Sequence, residues 1–180
     1  ESIYLFILRA SIKEHIDGWK IEYRRLSRRN EFIFSLKNKM IVGYLRSLAI
    51  TFICYSVGGF TGMVIFLLCA FIAKSLLEVI NFTEHYGLVR EENKPVYPRH
   101  SWNSNSVMSS ILLYNVTRHS AHHEKSHLKF WELDTYQDAP MMPHGYLSML
   151  YLAIFLPPFF HKMMAKKLIV VGKEMDQLML

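Results

Sequence analysis

The chain has 180 residues, 51% of them hydrophobic, and a formal net charge of +6 from 21 basic and 15 acidic side chains. That length suffices for one ordinary core, but this apolar content with a mean hydropathy of +0.12 fits long apolar segments joined by basic loops, hence an integral-membrane protein. The basic residues flank apolar segments rather than forming a polar, aromatic-laced face, which argues against nucleic-acid binding. Cys54 and Cys69 lie in an apolar run without CxxC spacing, which argues against a zinc ribbon or a redox pair.

The chain opens on Glu1, with no basic stretch of a signal peptide. The opening IYLFIL is too short to cross a bilayer and reads as the tail of a helix begun upstream. The expectation is therefore the C-terminal part of a longer protein. Residues 9–39 carry nine lysines and arginines. Leu8, Ile12, Ile16, Trp19, Tyr23 and Leu26 recur at spacings of three and four. This predicts a basic amphipathic helix at a membrane interface, on the cytoplasmic side by the positive-inside rule.

Between Arg46 and Lys74 there is no charge. The apolar region that holds this run, residues 40–80, is about twice the roughly 20 residues that one span needs, and GGFTG (Gly58–Gly62) marks a turn at its middle. The reading is two antiparallel spans, 41–57 and 62–81; one long tilted helix with a glycine kink is the alternative. Residues 82–145 hold seven of the nine histidines and read as a polar cap. Within it ENKPVYP and QDAPMMPHG are loops, and Ser106–His127 has helical periodicity. Residues 146–160 are apolar but too short to span and end at Pro157-Pro158; the tail is basic. All of this fits a single all-α domain in four stretches: 1–40, 41–81, 82–145 and 146–180.

The histidines carry the chemistry. On a helix His119, His122 and His123 share one arc, and metal coordination removes the cost of burying neutral imidazoles. His85 stands where the second apolar span ends, a position where ionisable groups are functional candidates, and adds a fourth nitrogen. A pair of the ExxH motifs of soluble di-iron bundles is absent. An all-imidazole set leaves zinc and iron open. Glu84, His100, Asp134 and Asp138 are candidates to orient the ligating rings, although His100 could equally be structural and the two aspartates could close loops. His127 lies four residues after His123 and would reach the same face only if the helix continues that far, and His15, His144 and His161 read as interface or loop residues.

Four stretches together carry a resemblance: NFTEHYGL (Asn81–Leu88), HSWNSN (His100–Asn105), RHSAHH (Arg118–His123) and DAPMMPHGYLSM (Asp138–Met149). In content and order they resemble the membrane-bound alkane hydroxylases, integral-membrane non-haem di-iron monooxygenases of the desaturase/hydroxylase superfamily. The resemblance implies a bundle of membrane helices with a cytoplasmic cap holding two iron ions, in a bacterial inner membrane. It implies O2-dependent hydroxylation of a terminal methyl group, with electrons from rubredoxin and its reductase. Carried over by position, His85, His119, His122 and His123 are iron ligands. The family has further HxxxH and HxxHH motifs earlier in the chain, and neither occurs ahead of NFTEHYGL here, where His15 stands alone.

The apolar segment would admit an alkane from the bilayer, past Phe71, Leu76, Val79 and Ile80. Lys125 and Lys129 would meet an acidic electron donor. Two alternatives keep the scaffold: a fatty-acyl desaturase or hydroxylase, and an alkyl-aromatic monooxygenase. A third, from another class, is a non-catalytic membrane protein stapled by structural zinc.

Overall fold

In the computed structural model the described residues are 1–89, 97–125, 127–136 and 139–178. Among them the secondary structure is helical, without a strand. Six α-helices follow one another: α1 (Ile3–Ser27), α2 (Lys39–His85), α3 (Val107–Leu112), α4 (His119–Glu124), α5 (Tyr146–Phe155) and α6 (Pro157–Leu178). The chain divides into two compact units, Ile3–Glu78 and Val79–Leu180.

In the first unit α1 begins earlier and stops sooner than the basic periodicity over 9–39 predicts. Asn30 takes a left-handed φ of 52°. The Glu31 amide bonds the Leu26 carbonyl at 3.0 Å and the Asn30 amide bonds Ser27 at 3.2 Å. This Schellman cap closes the helix and leaves Arg28–Asn38 as a connector. Glu22 straps the connector: its carboxylate takes two bonds from Arg25, at 2.9 and 2.7 Å, and the Lys39 amide at 2.7 Å. These partners, Arg25 first, hold the Glu22 carboxyl down at about 2. Asn38 is fully buried and caps α2 by accepting the Met40 amide at 2.9 Å.

Among the described residues, α2 is the helix long and apolar enough to cross a membrane, and its most apolar stretch is scarcely buried within the chain. A soluble core helix would be covered. The helix breaks at Gly59, with φ 58° and ψ −154°, and there the chain doubles back. A Cβ on Gly62 would lie 2.5 Å from the Cys54 carbonyl oxygen, whereas eight residues of continuous helix rise about 12 Å. Tyr44 bonds Trp19 at 2.8 Å and also meets His15, while Lys74 bonds Glu14, the residue before His15, at 2.5 Å. Tyr44 and Lys74 would stand about 45 Å apart on one straight helix. Both lie fifteen residues from Gly59, the symmetry expected of a hairpin.

In the second unit the core gathers Phe82, Trp102, Tyr146, Met149, Phe160 and Met164. Gly87, with φ 71°, ends α2; a Cβ there would meet Leu168 of α6 at 2.3 Å. The single helix expected over 106–127 is two helices. Tyr114 and Asn115 between α3 and α4 have left-handed φ of 49° and 57°, which hydrophobic periodicity cannot register. Asn115 holds the turn by donating to Phe130 O at 3.0 Å. The prolines at 157 and 158 begin α6 rather than only ending an apolar stretch; proline at the first helical position loses no intrahelical bond. The tail is thus helical through Leu178.

Candidate metal centre

All residues that converge on the centre belong to the second unit. His85 is the last residue of α2, and His119 and His123 stand four apart on α4. One ligand atom from each of the three falls within 4.8 Å of the others. His119 Nε2 lies 3.3 Å from His85 Nε2, and the His119 and His123 ring centroids are 4.2 Å apart.

The segment Tyr97–Ser104 determines this geometry. His85 Nδ1 bonds the backbone oxygen of His100 at 3.1 Å. A carbonyl only accepts, so Nδ1 carries the proton and Nε2 presents its lone pair to the other histidines. Trp102 grips the end of α2, its amide bonding Glu84 O and its indole bonding Tyr86 O, both at 2.8 Å. Asn103 grips α4. Its Oδ1 accepts the Ser120 amide at 3.0 Å, and its Nδ2 donates to Ser101 O at 2.9 Å and to Ser120 Oγ at 2.6 Å. Asn103 also pairs with the 140–142 loop through Pro140 O and the Met142 amide, each at 2.8 Å. Three ligand-bearing or site-flanking segments are thus fixed by one buried, polar strap.

Glu84 is fully buried. Its Oε1 accepts the Tyr146 hydroxyl at 2.5 Å. Its Oε2 receives no hydrogen bond and stands 3.1 Å from His119 Nε2. Burial, and after it the neighbouring His123, His85 and His122, hold the pKa of His119 down at about 3. The ring is neutral at ordinary pH, the form that ligates. Converging imidazole nitrogens, a fixed tautomer and an orphaned buried carboxylate oxygen fit a first-row metal ion, and the absence of thiolate suits iron or zinc.

The other sequence candidates fall elsewhere. His122 is exposed, its ring 6.0 Å from those of His119 and His123, outside the three-histidine cluster. His100 serves His85 through its backbone; its own Nδ1 accepts the Tyr97 amide at 3.1 Å. Asp134 is exposed, and the nearby Tyr136 hydroxyl donates to Glu124 instead. Asp138 lies outside the described residues. His127 and His144 are exposed, and His161 bonds Tyr86 at 2.7 Å within an aromatic cluster with Phe82 and Phe160. Lys125 and Lys129 are exposed. Phe71 and Leu76 are exposed and Val79 is buried. Sequence reasoning read Asn103 only as part of a packed, hydrogen-bonding loop and assigned neither it nor Tyr146 a role at the centre. Both lie in the stretches that carry the resemblance, the one signal that pointed to them.

The fatty acid desaturase family profile matches residues 1–153. The chain belongs to the fatty acid desaturase family. Among curated members and relatives, alkane 1-monooxygenase 1 of Pseudomonas aeruginosa is 38% identical over 172 residues, 93% of this chain and 45% of the relative. Alkane 1-monooxygenase 2 of Alcanivorax borkumensis is 34% identical over 184 residues, 99% and 48%. The xylene/toluene monooxygenase hydroxylase component of Pseudomonas putida is 30% identical over 166 residues, 92% and 44%. The chain spans about half the length of these relatives, so within the family it aligns with roughly half of an alkane 1-monooxygenase.

Proposed function

We propose that this chain is part of an integral-membrane alkane 1-monooxygenase that converts an n-alkane to its primary alcohol. The observation that carries the reading is the convergence of His85, His119 and His123 in a chain up to 38% identical to alkane 1-monooxygenases. In the reaction a terminal C–H bond becomes C–OH, the second oxygen atom of O2 leaves as water, and two electrons and two protons enter from a donor. Two non-haem iron ions, when bound, would supply the oxygen activation and redox chemistry. His85, His119, His122 and His123 are the proposed ligands from this chain, and the remaining ligands would come from other parts of the protein.

The work of the chain's own residues is positional. His100 O keeps Nδ1 of His85 protonated. Asn103 fixes α4 so that His119 and His123 face His85. The buried residues Trp102, Tyr146 and Met149 keep water from the back of the centre. The exposed apolar side chains of α2 call for lipid as their solvent, and an alkane dissolved there would approach past Phe71, Leu76, Val79 and Ile80. The cap would face the cytoplasm of a bacterial inner membrane, where rubredoxin, reduced by its reductase, would dock near Lys125 and Lys129.

The test is turnover of an n-alkane by the full protein in membranes with rubredoxin, its reductase and 18O2. A terminal alcohol with one 18O atom is expected. A double bond would replace the reading by a desaturase, and a protein holding one redox-inactive zinc by the structural alternative. The 30% identity to the xylene/toluene hydroxylase component gives a second reading, oxidation of an aromatic methyl group, which the same assay with a methylbenzene decides.

A further inference from the structure

The connector between α1 and α2 carries more apolar surface than a water-facing loop would keep. Phe32, Phe34 and Leu36 alternate along it and are 71%, 71% and 72% exposed, and the apolar α2 begins at Lys39. Positions 19, 20, 23 and 24 of α1 are spaced to share one face. That face and the connector enclose an open groove of about 480 Å³, lined by Trp19, Lys20, Tyr23, Arg24, Ile33 and Phe34. The volume lies within the roughly 300–1,000 Å³ of small-molecule sites. The Trp19 and Phe34 rings stand 6.4 Å apart. The indole N–H of Trp19 is already engaged by Tyr44 at 2.8 Å, so its ring offers the groove hydrocarbon. Charge is uneven around it. Arg9, Lys13, Arg25 and Lys37 each meet a carboxylate at 2.8 Å or less. At the groove, Lys20 reaches Asp17 only at 3.6 Å, and among the described residues no acid pairs with Arg24. Both cations are exposed. The groove therefore has an apolar floor and a cationic rim, with no acid in its lining.

We propose that this groove binds a membrane glycerophospholipid with an acidic headgroup, an acyl chain lying along Trp19, Ile33 and Phe34 and the phosphodiester between Lys20 and Arg24. Charge complementarity selects the headgroup. A guanidinium and an ammonium one helical turn apart suit a phosphate that has no cation of its own, whereas a zwitterionic lipid brings its own ammonium. The floor selects a lipid over free phosphate, which would leave the apolar walls in water. Continuity with α2 selects a lipid over an acidic protein segment. The connector that forms one wall runs straight into the helix whose exposed apolar side chains call for hydrocarbon, and Phe32 and Leu36 would enter the same layer. Such a lipid would hold α1 at the membrane surface. This role is separate from the histidine centre and rests on none of its residues.

The experiment strips lipid from the full protein in a neutral detergent and titrates it with phosphatidylglycerol or phosphatidylcholine bearing brominated acyl chains. Quenching of tryptophan fluorescence reports the approach of bromine, the portion lost in Trp19→Phe belongs to the groove, and native mass spectrometry counts the lipids retained. Phosphatidylglycerol is expected to bind roughly tenfold or more tightly than phosphatidylcholine. Lys20→Gln combined with Arg24→Gln should abolish that preference and leave thermal unfolding unchanged, since both side chains are exposed. Phe34→Ser should weaken both lipids, and the exposed α6 control Lys162→Gln should weaken neither. Should the double variant unfold, Arg24→Gln alone, read in the same way, decides. Equal affinity for the two lipids, or undiminished phosphatidylglycerol binding in the folded double variant, overturns the proposal. Full displacement of the lipid by an equal concentration of inorganic phosphate overturns it in favour of a free-anion site. Displacement by a polyglutamate peptide at equal concentration overturns it in favour of an acidic protein partner.

Discussion

Two regions of this chain solve the problem of backbone satisfaction in opposite ways. Along α2 between Ser47 and Ala73 the backbone bonds are local, the Thr51 and Ser56 hydroxyls returning to the Ser47 and Phe52 carbonyls four residues back, and Phe52, Val57, Phe60, Phe71 and Ile72 are left exposed. Nothing there depends on side-chain direction except the glycines that let the chain turn. Between Tyr97 and Glu124 the helices are too short to satisfy themselves, and Ser101, Asn103, Thr117 and Ser120 bury polar side chains to complete the bonding. Substitution in the first region should therefore disturb few partners, whereas the second region is held by side-chain bonds that place nitrogen atoms. The difference teaches where precision is needed: at the ends of elements that bring the histidines together, not along an apolar helix whose side chains stay exposed.

The largest effect that would sharpen this contrast is at a ligand. His119→Ala should reduce metal affinity by roughly 100-fold or more, read by iron content after purification, while Phe52→Ala in the apolar arm should leave it unchanged. Next is the strap. Asn103→Ala leaves the Ser120 amide and the Ser101 carbonyl without their partner, and should cost about 2–3 kcal/mol in thermal unfolding in detergent, with a fall of roughly tenfold in metal affinity. Smaller again is the turn. Gly62→Ala forces a Cβ against the Cys54 carbonyl and should cost about 1–3 kcal/mol. If that substitution were neutral, the doubling back of α2 would be refuted.

A pH effect follows at the α1–α2 joint. The folded-state pKa of Glu22 is depressed from 4.5 to about 2, so its contribution is complete above about 4.5 and fades as pH falls through about 2. Amide exchange at the first turn of α2 should accelerate across that window in the wild type and be flat in Glu22→Gln. Smallest of all, Asp134→Asn should move stability by less than about 0.5 kcal/mol; a loss of metal instead would restore Asp134 to the centre.

How far the sequence could be read follows the same division. The glycine-marked break in α2 was legible because Gly58, Gly59 and Gly62 interrupt a chargeless run. The cluster of His85, His119 and His123 was partly legible, since helical spacing brings positions 119 and 123 to one side. The same spacing also grouped His122, and only the six-residue length and placement of α4 leave that ring exposed. The turn at Tyr114–Asn115 was hidden, because periodicity carries no information on the sign of φ; the one clue was that asparagine tolerates it. The support that His100 gives His85 had no signal at all. It comes from a carbonyl that every residue possesses, so no side-chain pattern could announce it.

The shortness of α4 has a further consequence. Six residues make barely more than one turn, and a helix of that length does not persist in water on its own. Its order is borrowed from the Asn103 strap and from whatever ion the histidines share. On the proposed reading of a metal centre, metal supply and protein lifetime would be linked: without the ion, the stretch around Leu113–Lys125 should be the first to open to proteases.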